Sequence, residues 1–347
     1  MASTFLTSCA SNEKQTFENT HIQYESSWTN IWDIMKAYWN DGRKQATPKQ
    51  QVPVLPLSAE NLEADQTDAV FRLGHSTILL RLDGDFILLD PVFSERAFPV
   101  QWIGPKRFHQ TPLSISELPA IKAVVISHDH YDHLDKNAIK ELDAKVGTFI
   151  TPLKVGKHLK DWGIAEQKIV ELDWWQHTQL DQIKITATPS QHFSGRGLFD
   201  RDETLWASWV IQGWDSNIFF SGDTGYFPGF KEIGEKFGPF DITLMEAGAY
   251  NELWSDIHMM PEQTVQAHID LKGKVMVPIH NGTFDLALHE WFEPLETIHQ
   301  LAEKNDITVA TPIFGEQLNV KAPQVTKLWW HEVMTEHTEL KIQTVSP

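Results

Sequence analysis

Apolar and polar positions change rhythm twice along this chain. Residues 1 to about 25 are polar and show no periodicity, which predicts a frayed start. Trp28, Trp32, Met35 and Trp39 then recur near helical spacing with Ile31 alongside, predicting a helix with one aromatic face. Gln45-Ala46-Thr47-Pro48-Lys49-Gln50-Gln51 breaks that pattern and reads as a linker. From Ala69 short apolar runs alternate with turns. Runs at 70–73, 77–82 and 86–90, the last two joined by Asp83-Gly84-Asp85, predict a β-meander with a tight hairpin. The run 121–127 predicts a buried strand, and Asp135 is placed to cap a helix over 136–142. Strands are expected again at 183–188, 206–212, 218–221 and 242–246, and helices over 261–270 and 286–303. That order fits an α+β architecture, an αββα sandwich with two sheets face to face and helices outside. The expected division is a tail with an aromatic helix and linker over 1–51, then one body over 52–347. No fixed short period recurs, which excludes solenoids and propellers.

Composition narrows the function. The 347 residues are 41% hydrophobic, enough for a substantial core, and 29 Lys and Arg against 47 Asp and Glu give a formal charge of −18. Such a charge repels phosphate backbones, so nucleic acid is not an expected partner. No apolar run reaches the roughly 20 residues a membrane-spanning helix needs. The single cysteine, Cys9, excludes an internal disulfide and a thiolate metal cluster. Leu6-Thr7-Ser8-Cys9-Ala10 has the look of a lipoprotein cleavage site without a charged start or a full apolar segment. Two readings stay open: an envelope protein anchored at Cys9, or a polar terminus on a cytoplasmic or peripheral membrane protein. The aromatic helix is likewise open, to packing on its own domain or to contact with a membrane interface or acyl chain.

The chemistry gathers at strand ends. Ser127-His128-Asp129-His130-Tyr131-Asp132-His133 puts three imidazoles and two carboxylates into a loop at the end of a strand, a donor set suited to zinc. Three later stretches end apolar strands in the same way: Thr188-Pro189-Ser190-Gln191-His192, Ser221-Gly222-Asp223-Thr224-Gly225 and Val277-Pro278-Ile279-His280. A strand end is a rigid support that opens into a cleft, as a preorganised ligand requires. Each stretch alone would serve as a turn or a buried hydrogen-bonding residue; together with the first loop they form a constellation.

That set resembles the five-motif signature of the metallo-β-lactamase superfamily. Gly74-His75-Ser76-Thr77, Gly104-Pro105-Lys106-Arg107-Phe108, Ile115-Ser116-Glu117-Leu118-Pro119, Glu171-Leu172-Asp173-Trp174-Trp175 and Phe237-Gly238-Pro239-Phe240-Asp241 resemble, more narrowly, N-acylphosphatidylethanolamine-hydrolysing phospholipase D enzymes, from about Val52 to about Pro294. The resemblance implies two zinc ions: His128, His130 and His192 on one, Asp132, His133 and His280 on the other, and Asp223 bridging them. It implies that Asp90 orients a ligand loop, although a turn cap is its other reading. His258, in Asp256-Ile257-His258-Met259-Met260-Pro261-Glu262, matches a histidine beside the substrate phosphoryl group; its other reading is a helix-entry residue. Asn281 and Met259-Met260 depart from the family and put the pocket wall in question. Lys106 and Arg107 would draw an anionic phosphodiester inward or form surface salt bridges. His109, His177, His268, His289 and His299 read as structural or surface residues. The activity implied is hydrolysis of N-acylphosphatidylethanolamine by a zinc phosphodiesterase. The partners implied are a phospholipid or other small amphipathic substrate, with peripheral membrane contact. Lactone or ester hydrolysis on the same fold is the alternative, and a non-catalytic envelope binding protein is a third.

Overall fold

The apolar runs of the first half pair into one sheet. Helices α1 (Trp28–Trp39) and α2 (Ala59–Glu63) precede β1 (Ala69–Arg72), β2 (Ile78–Leu82) and β3 (Asp85–Leu89), an antiparallel meander. Then β4 (Ile121–Val125), α3 (Lys136–Leu142), β5 (Val146–Pro152), α4 (Gly156–Asp161) and β6 (Ile169–Leu172) add parallel strands by helical crossovers. The second half builds its own sheet from β7 (His177–Leu180), β8 (Ile183–Thr188), β9 (Ser208–Gln212) and β10 (Asn217–Phe220), all antiparallel. After α5 (Gly229–Phe237), β11 (Phe240–Glu246), α6 (Pro261–Asp270), β12 (Gly273–Ile279), α7 (Glu293–Lys304) and β13 (Thr308–Val309) continue it in parallel. The chain then returns: β14 (Gln317–Asn319) closes the first sheet against β1, with Leu318 opposite Val70, before α8 (Trp329–Met334). Each sheet has seven strands, in the orders β14-β1-β2-β3-β4-β5-β6 and β13-β12-β11-β10-β9-β8-β7. The computed structural model describes residues 16–24, 28–324 and 326–334, and Cys9 with its flanking stretch lies outside them.

Alternation along the strands sorts the core into layers. Between the sheets, Leu80, Ile87 and Val125 meet Ile185, Trp209, Phe220 and Leu244. The buried Trp209 also donates its indole Nε1 to the carbonyl of Ile126 at 3.1 Å, so one side chain ties the two sheets. Outside the first sheet, Ile139 and Leu142 of α3 and Leu159 of α4 cover Leu88, Val124 and Phe149. Outside the second, Phe230 and Ile233 of α5, Val265 of α6 and Ile298 of α7 cover Val210, Phe219 and Met276. The two-sheet sandwich with outer helices is the expected architecture.

Boundaries differ where side chains have other duties. The strand expected from Trp206 begins at Ser208, because the backbones of Leu205 and Ala207 bond Leu153 and Ser127 of the other half. The helix expected from Leu286 begins at Glu293. Pro294 fits its first turn, and Leu286 and Leu288 pack instead against Trp254 and Ile257 in a loop. The stretch read as a linker is irregular, yet it is tied down. Gln45 bonds Glu290 and Trp291, Arg43 bonds Asp285 at 2.7 Å, and Val52 is fully buried beside Trp330.

Candidate metal centre

Every residue of the constellation stands just beyond a strand, at the same edge of the sandwich. β3 delivers Asp90, β4 delivers the 127–133 loop, β8 His192, β10 Asp223, and β12 His280. Three of these stops use positive φ: Asp90 at 38°, Gly222 at 56° and His280 at 62°. At 222 a Cβ would lie 2.6 Å from that of Ser127, so glycine lets the Asp223 loop close on the first sheet. His280 has a Cβ and holds its left-handed backbone at a cost of about 1–3 kcal/mol, strain of the kind found at functional sites. Its backbone N–H is held by the carbonyl of His75 at 3.0 Å.

Among the described residues two four-residue donor clusters result, with a third group of Asp223, His258 and His280 overlapping them. The first joins His128, His130, His192 and Asp223. His130 Nδ1 lies 2.8 Å from His128 Nε2 and 3.3 Å from His192 Nε2, and Asp223 Oδ2 lies 3.8 and 3.9 Å from those two Nε2 atoms. The second joins Asp132, His133 and His280 with His75, whose Nε2 is 3.3 Å from Asp132 Oδ2. His280 Nε2 stands 3.3 Å from the same oxygen and 3.1 Å from Asp223 Oδ2, so Asp223 faces both clusters. The chemistry of this donor set fits two cations. Nitrogen and carboxylate atoms converge, and the buried atoms His133 Nε2 and Asp223 Oδ1, 3.0 Å apart, are not aligned to bond each other and have no other hydrogen-bond partner. Imidazoles and carboxylates buried in this way form a binuclear metal centre.

Hydrogen bonds behind the donors fix their rings. Asp90 is fully buried; one oxygen pairs with His133 Nδ1 at 2.6 Å and the other accepts the Ser127 N–H at 2.7 Å. The Ser127 hydroxyl, donating to Asp90 at 2.6 Å, lies 2.9 Å from His128 Nδ1. The carbonyl of Ile257 accepts from His192 Nδ1 at 3.0 Å. Each contact leaves the opposite ring nitrogen facing the cluster, as metal ligands require.

Electrostatics differ between the clusters. Burial, with the neighbouring rings of His133 and His130, holds His128 well below the usual imidazole range. Burial also lowers His192, and it outweighs the pull of Asp223. At His133 and His280 burial opposes the charged ring, but carboxylates win. Asp223, Asp132 and Asp90 raise His133 well above its usual value, and Asp223 with Asp132 pushes His280 up to about 10.

His258 joins this edge, within reach of Asp223 and His280. Its Nδ1 lies 2.6 Å from Oε1 of Glu246, the fully buried last residue of β11. His75 and Glu246 were not singled out in the sequence as working residues. His75 sits inside the Gly74-Thr77 motif, and Glu246 is a lone carboxylate ending an otherwise apolar strand, which is the signal that marks it.

A cavity of about 310 Å³ opens over the centre, lined by His130, Asp132, Asp223, His258 and His280 below and by Tyr24, Ile34, Tyr38, Phe193, Trp254, Ile257 and Leu286 around. Neither Lys106 nor Arg107 lines it. Lys106 is exposed and pairs with Glu95 at 2.7 Å, whereas Arg107 is half-buried, its Nη2 donating to the Val92 carbonyl at 3.1 Å. The family departures also face elsewhere. The Asn281 side chain accepts from the buried Arg72 at 2.8 Å, and Met259 packs under the second sheet. Of the histidines read as structural or surface residues, His109 bonds Thr283, His268 bonds Thr243, His289 accepts from the Ala249 N–H, His299 pairs with Glu303, and His177 lies exposed on β7.

Residues 86–281 match the model of the beta-lactamase superfamily domain, more than half of the chain. The chain belongs to the metallo-β-lactamase superfamily. An uncharacterized protein of Mycobacterium tuberculosis is 44% identical over 306 residues, covering 86% of this chain and 80% of that one. The N-acyl-phosphatidylethanolamine-hydrolyzing phospholipase D 1 of Caenorhabditis elegans is 33% identical over 269 residues, 74% of this chain and 75% of that one. Among solved structures, the metallo hydrolase Igni18 of Ignicoccus hospitalis has the same fold, with a TM-score of 0.56 at 22% identity over 73% of this chain and 97% of that one. The protein is thus a metal-dependent hydrolase of this superfamily.

Proposed function

We propose that the protein is a zinc phosphodiesterase that cleaves N-acylphosphatidylethanolamine into N-acylethanolamine and phosphatidic acid. The observation that carries this reading is the amphipathic cavity, with metal-binding side chains below and aromatic and aliphatic walls above, which suits a charged phosphodiester joined to acyl chains. The likeness to the nematode phospholipase supports it. His128, His130, His192 and Asp223 would hold one ion, and Asp132, His133, His280 and the shared Asp223 the other. Zinc bound there would supply a nucleophilic hydroxide at neutral pH and neutralise charge growing on the phosphoryl oxygens. His258 stabilises the reacting phosphoryl group or delivers a proton to the leaving oxygen. Ile34, Tyr38 and Phe193 exclude water and hold acyl carbons.

The proposed partner is a lipid surface. Helix α1 turns Ile34 and Tyr38 into the cavity wall, with Tyr38 stacked on Trp254, and leaves Trp32, Met35 and Trp39 outside, Trp39 at 90% exposure. Of the aromatic face read from the sequence, these three therefore point to solvent; the side chains of Trp28 and Ile31 lie outside the described residues. Exposed tryptophan beside a cavity with aromatic and aliphatic walls suits a membrane interface.

One observation favours an uncharged ester or lactone instead: among the described residues no lysine or arginine lines the cavity. Incubating the purified, zinc-loaded protein with a mixed phospholipid extract and a lactone panel, with products identified by mass spectrometry, separates the two readings. N-acylethanolamine and phosphatidic acid are the expected products. Faster lactone opening would overturn the proposal.

A further inference from the structure

Glu246 occupies a position where a carboxylate is costly unless it does something specific. It ends β11, is fully buried, and among the described residues has no lysine or arginine beside it. Both its oxygens are engaged. Oε2 accepts the backbone N–H of Thr224, the residue after Asp223, at 2.6 Å, and Oε1 lies 2.6 Å from His258 Nδ1. Its carbonyl accepts the Thr264 hydroxyl at 3.0 Å, which anchors α6 and the entry to it behind His258. The carboxylate therefore sits between the loop of the shared ligand and a cavity-lining histidine that neither four-residue cluster includes.

Resting on the reading that His258 acts on the reacting group, we propose that Glu246 is a positioning residue that fixes His258 as the Nδ1–H tautomer, with Nε2 presented to the substrate. The argument is one of donors and acceptors. A backbone N–H can only donate, so Oε2 must accept from Thr224. Burial raises the Glu246 acid and the facing His258 opposes that rise; ionised, the carboxylate has only acceptors to offer at Oε1, so the Nδ1 it faces must carry the hydrogen. The proton on neutral His258 is thereby kept off Nε2, which stays open to take a proton or, once protonated, to give one to a leaving oxygen. A turn-forming or helix-entry histidine has no need of a buried acid; one whose tautomer decides its chemistry does.

An isosteric substitution isolates this role. In Glu246→Gln the amide has one acceptor, and Thr224 claims it, so the NH2 faces His258 Nδ1. The hydrogen then moves to Nε2, with shape and the Thr224 bond retained. The test uses full-length zinc-loaded protein with ¹⁵N-labelled histidine at pH 8, the His258 signals being identified by their loss in His258→Gln. NMR should find Nδ1 protonated in the parent and Nε2 protonated in Glu246→Gln. Turnover of N-acylphosphatidylethanolamine, and of the simple diester bis(p-nitrophenyl) phosphate, should fall about a hundredfold in kcat with KM within about twofold, because the wrong tautomer removes a general acid-base contribution. Zinc content should stay at the parent value. Glu246→Asp, which keeps a carboxylate, should restore part of the loss and the parent tautomer. An unchanged tautomer, or unchanged kcat on both diesters, overturns the inference. Failure of the lipid reading is distinguishable: the parent would then leave the lipid intact while the tautomer still switched and the simple diester was still cleaved more slowly by the variant.

Discussion

The two donor clusters share one carboxylate and little else. The His128, His130 and His192 cluster is rich in nitrogen, and burial holds His128 and His192 neutral and ready to coordinate. The His75, Asp132, His133 and His280 cluster is rich in charge. Carboxylates around it keep protons on His133 and His280, with Asp90 adding a third negative group behind His133. The first therefore offers free lone pairs, and the second offers attraction but must shed protons to bind. The same residue types give unlike sites because their carboxylates are unequally divided.

The shared residue is where the comparison breaks most completely. Asp223→Ala should reduce turnover at least about a thousandfold and lower zinc below two per chain, while circular dichroism stays native because strand ends support the loop. Unchanged turnover would refute the shared role. His258→Ala tests the reacting group apart from both clusters: kcat should fall about a hundredfold at unchanged zinc content. Zinc loss there would instead make His258 a ligand of the charge-rich cluster. A smaller effect sharpens the contrast. Asp90→Asn should weaken zinc at the cluster of His133 about ten- to a hundredfold and spare the other, which chelator competition would resolve.

The subtlest expectation concerns pH. His280, raised to about 10, stabilises the metal-free fold fully below about pH 6.5, and that stabilisation is lost as pH rises through about 10. Zinc binding runs the opposite way, since the proton must leave first. A variant left with the charge-rich cluster, His128→Ala, should therefore gain more zinc affinity per pH unit between 6 and 8 than His280→Ala, left with the nitrogen-rich one. Equal slopes by calorimetry would erase the distinction.

Sequence made every member of the two donor clusters legible except His75, for physical reasons. His128, His130 and His192 stand at the ends of apolar runs, where periodicity stops and polar residues begin. Asp135 announced α3 because its side chain bonds the N–H groups of Asn137 and Ala138, a purely local device. His75 follows a short strand in a motif explained by family likeness alone, and its approach to Asp132 depends on packing. Glu246 was read as the last residue of a strand, since its partners lie 12 and 22 residues away along the chain. β14 carries one apolar side chain in three residues and exists because β1 offers it an edge. Leu286 and Leu288 kept a helical rhythm through a loop because cavity walls need apolar residues as much as helices do.

Trp209 ties the two sheets from within, and the ligands tie them again from the edge. His128 to His133 leave the first sheet, and Asp223 and His280 leave the second. A chain still emerging from the ribosome can therefore fold its first sheet as far as β6 without a finished site, because the last ligand follows β12. A metal ion offered early meets an incomplete set of donors. Full coordination waits until β12 is made, so the finished centre records that the two halves have come together, before β14 closes the first sheet.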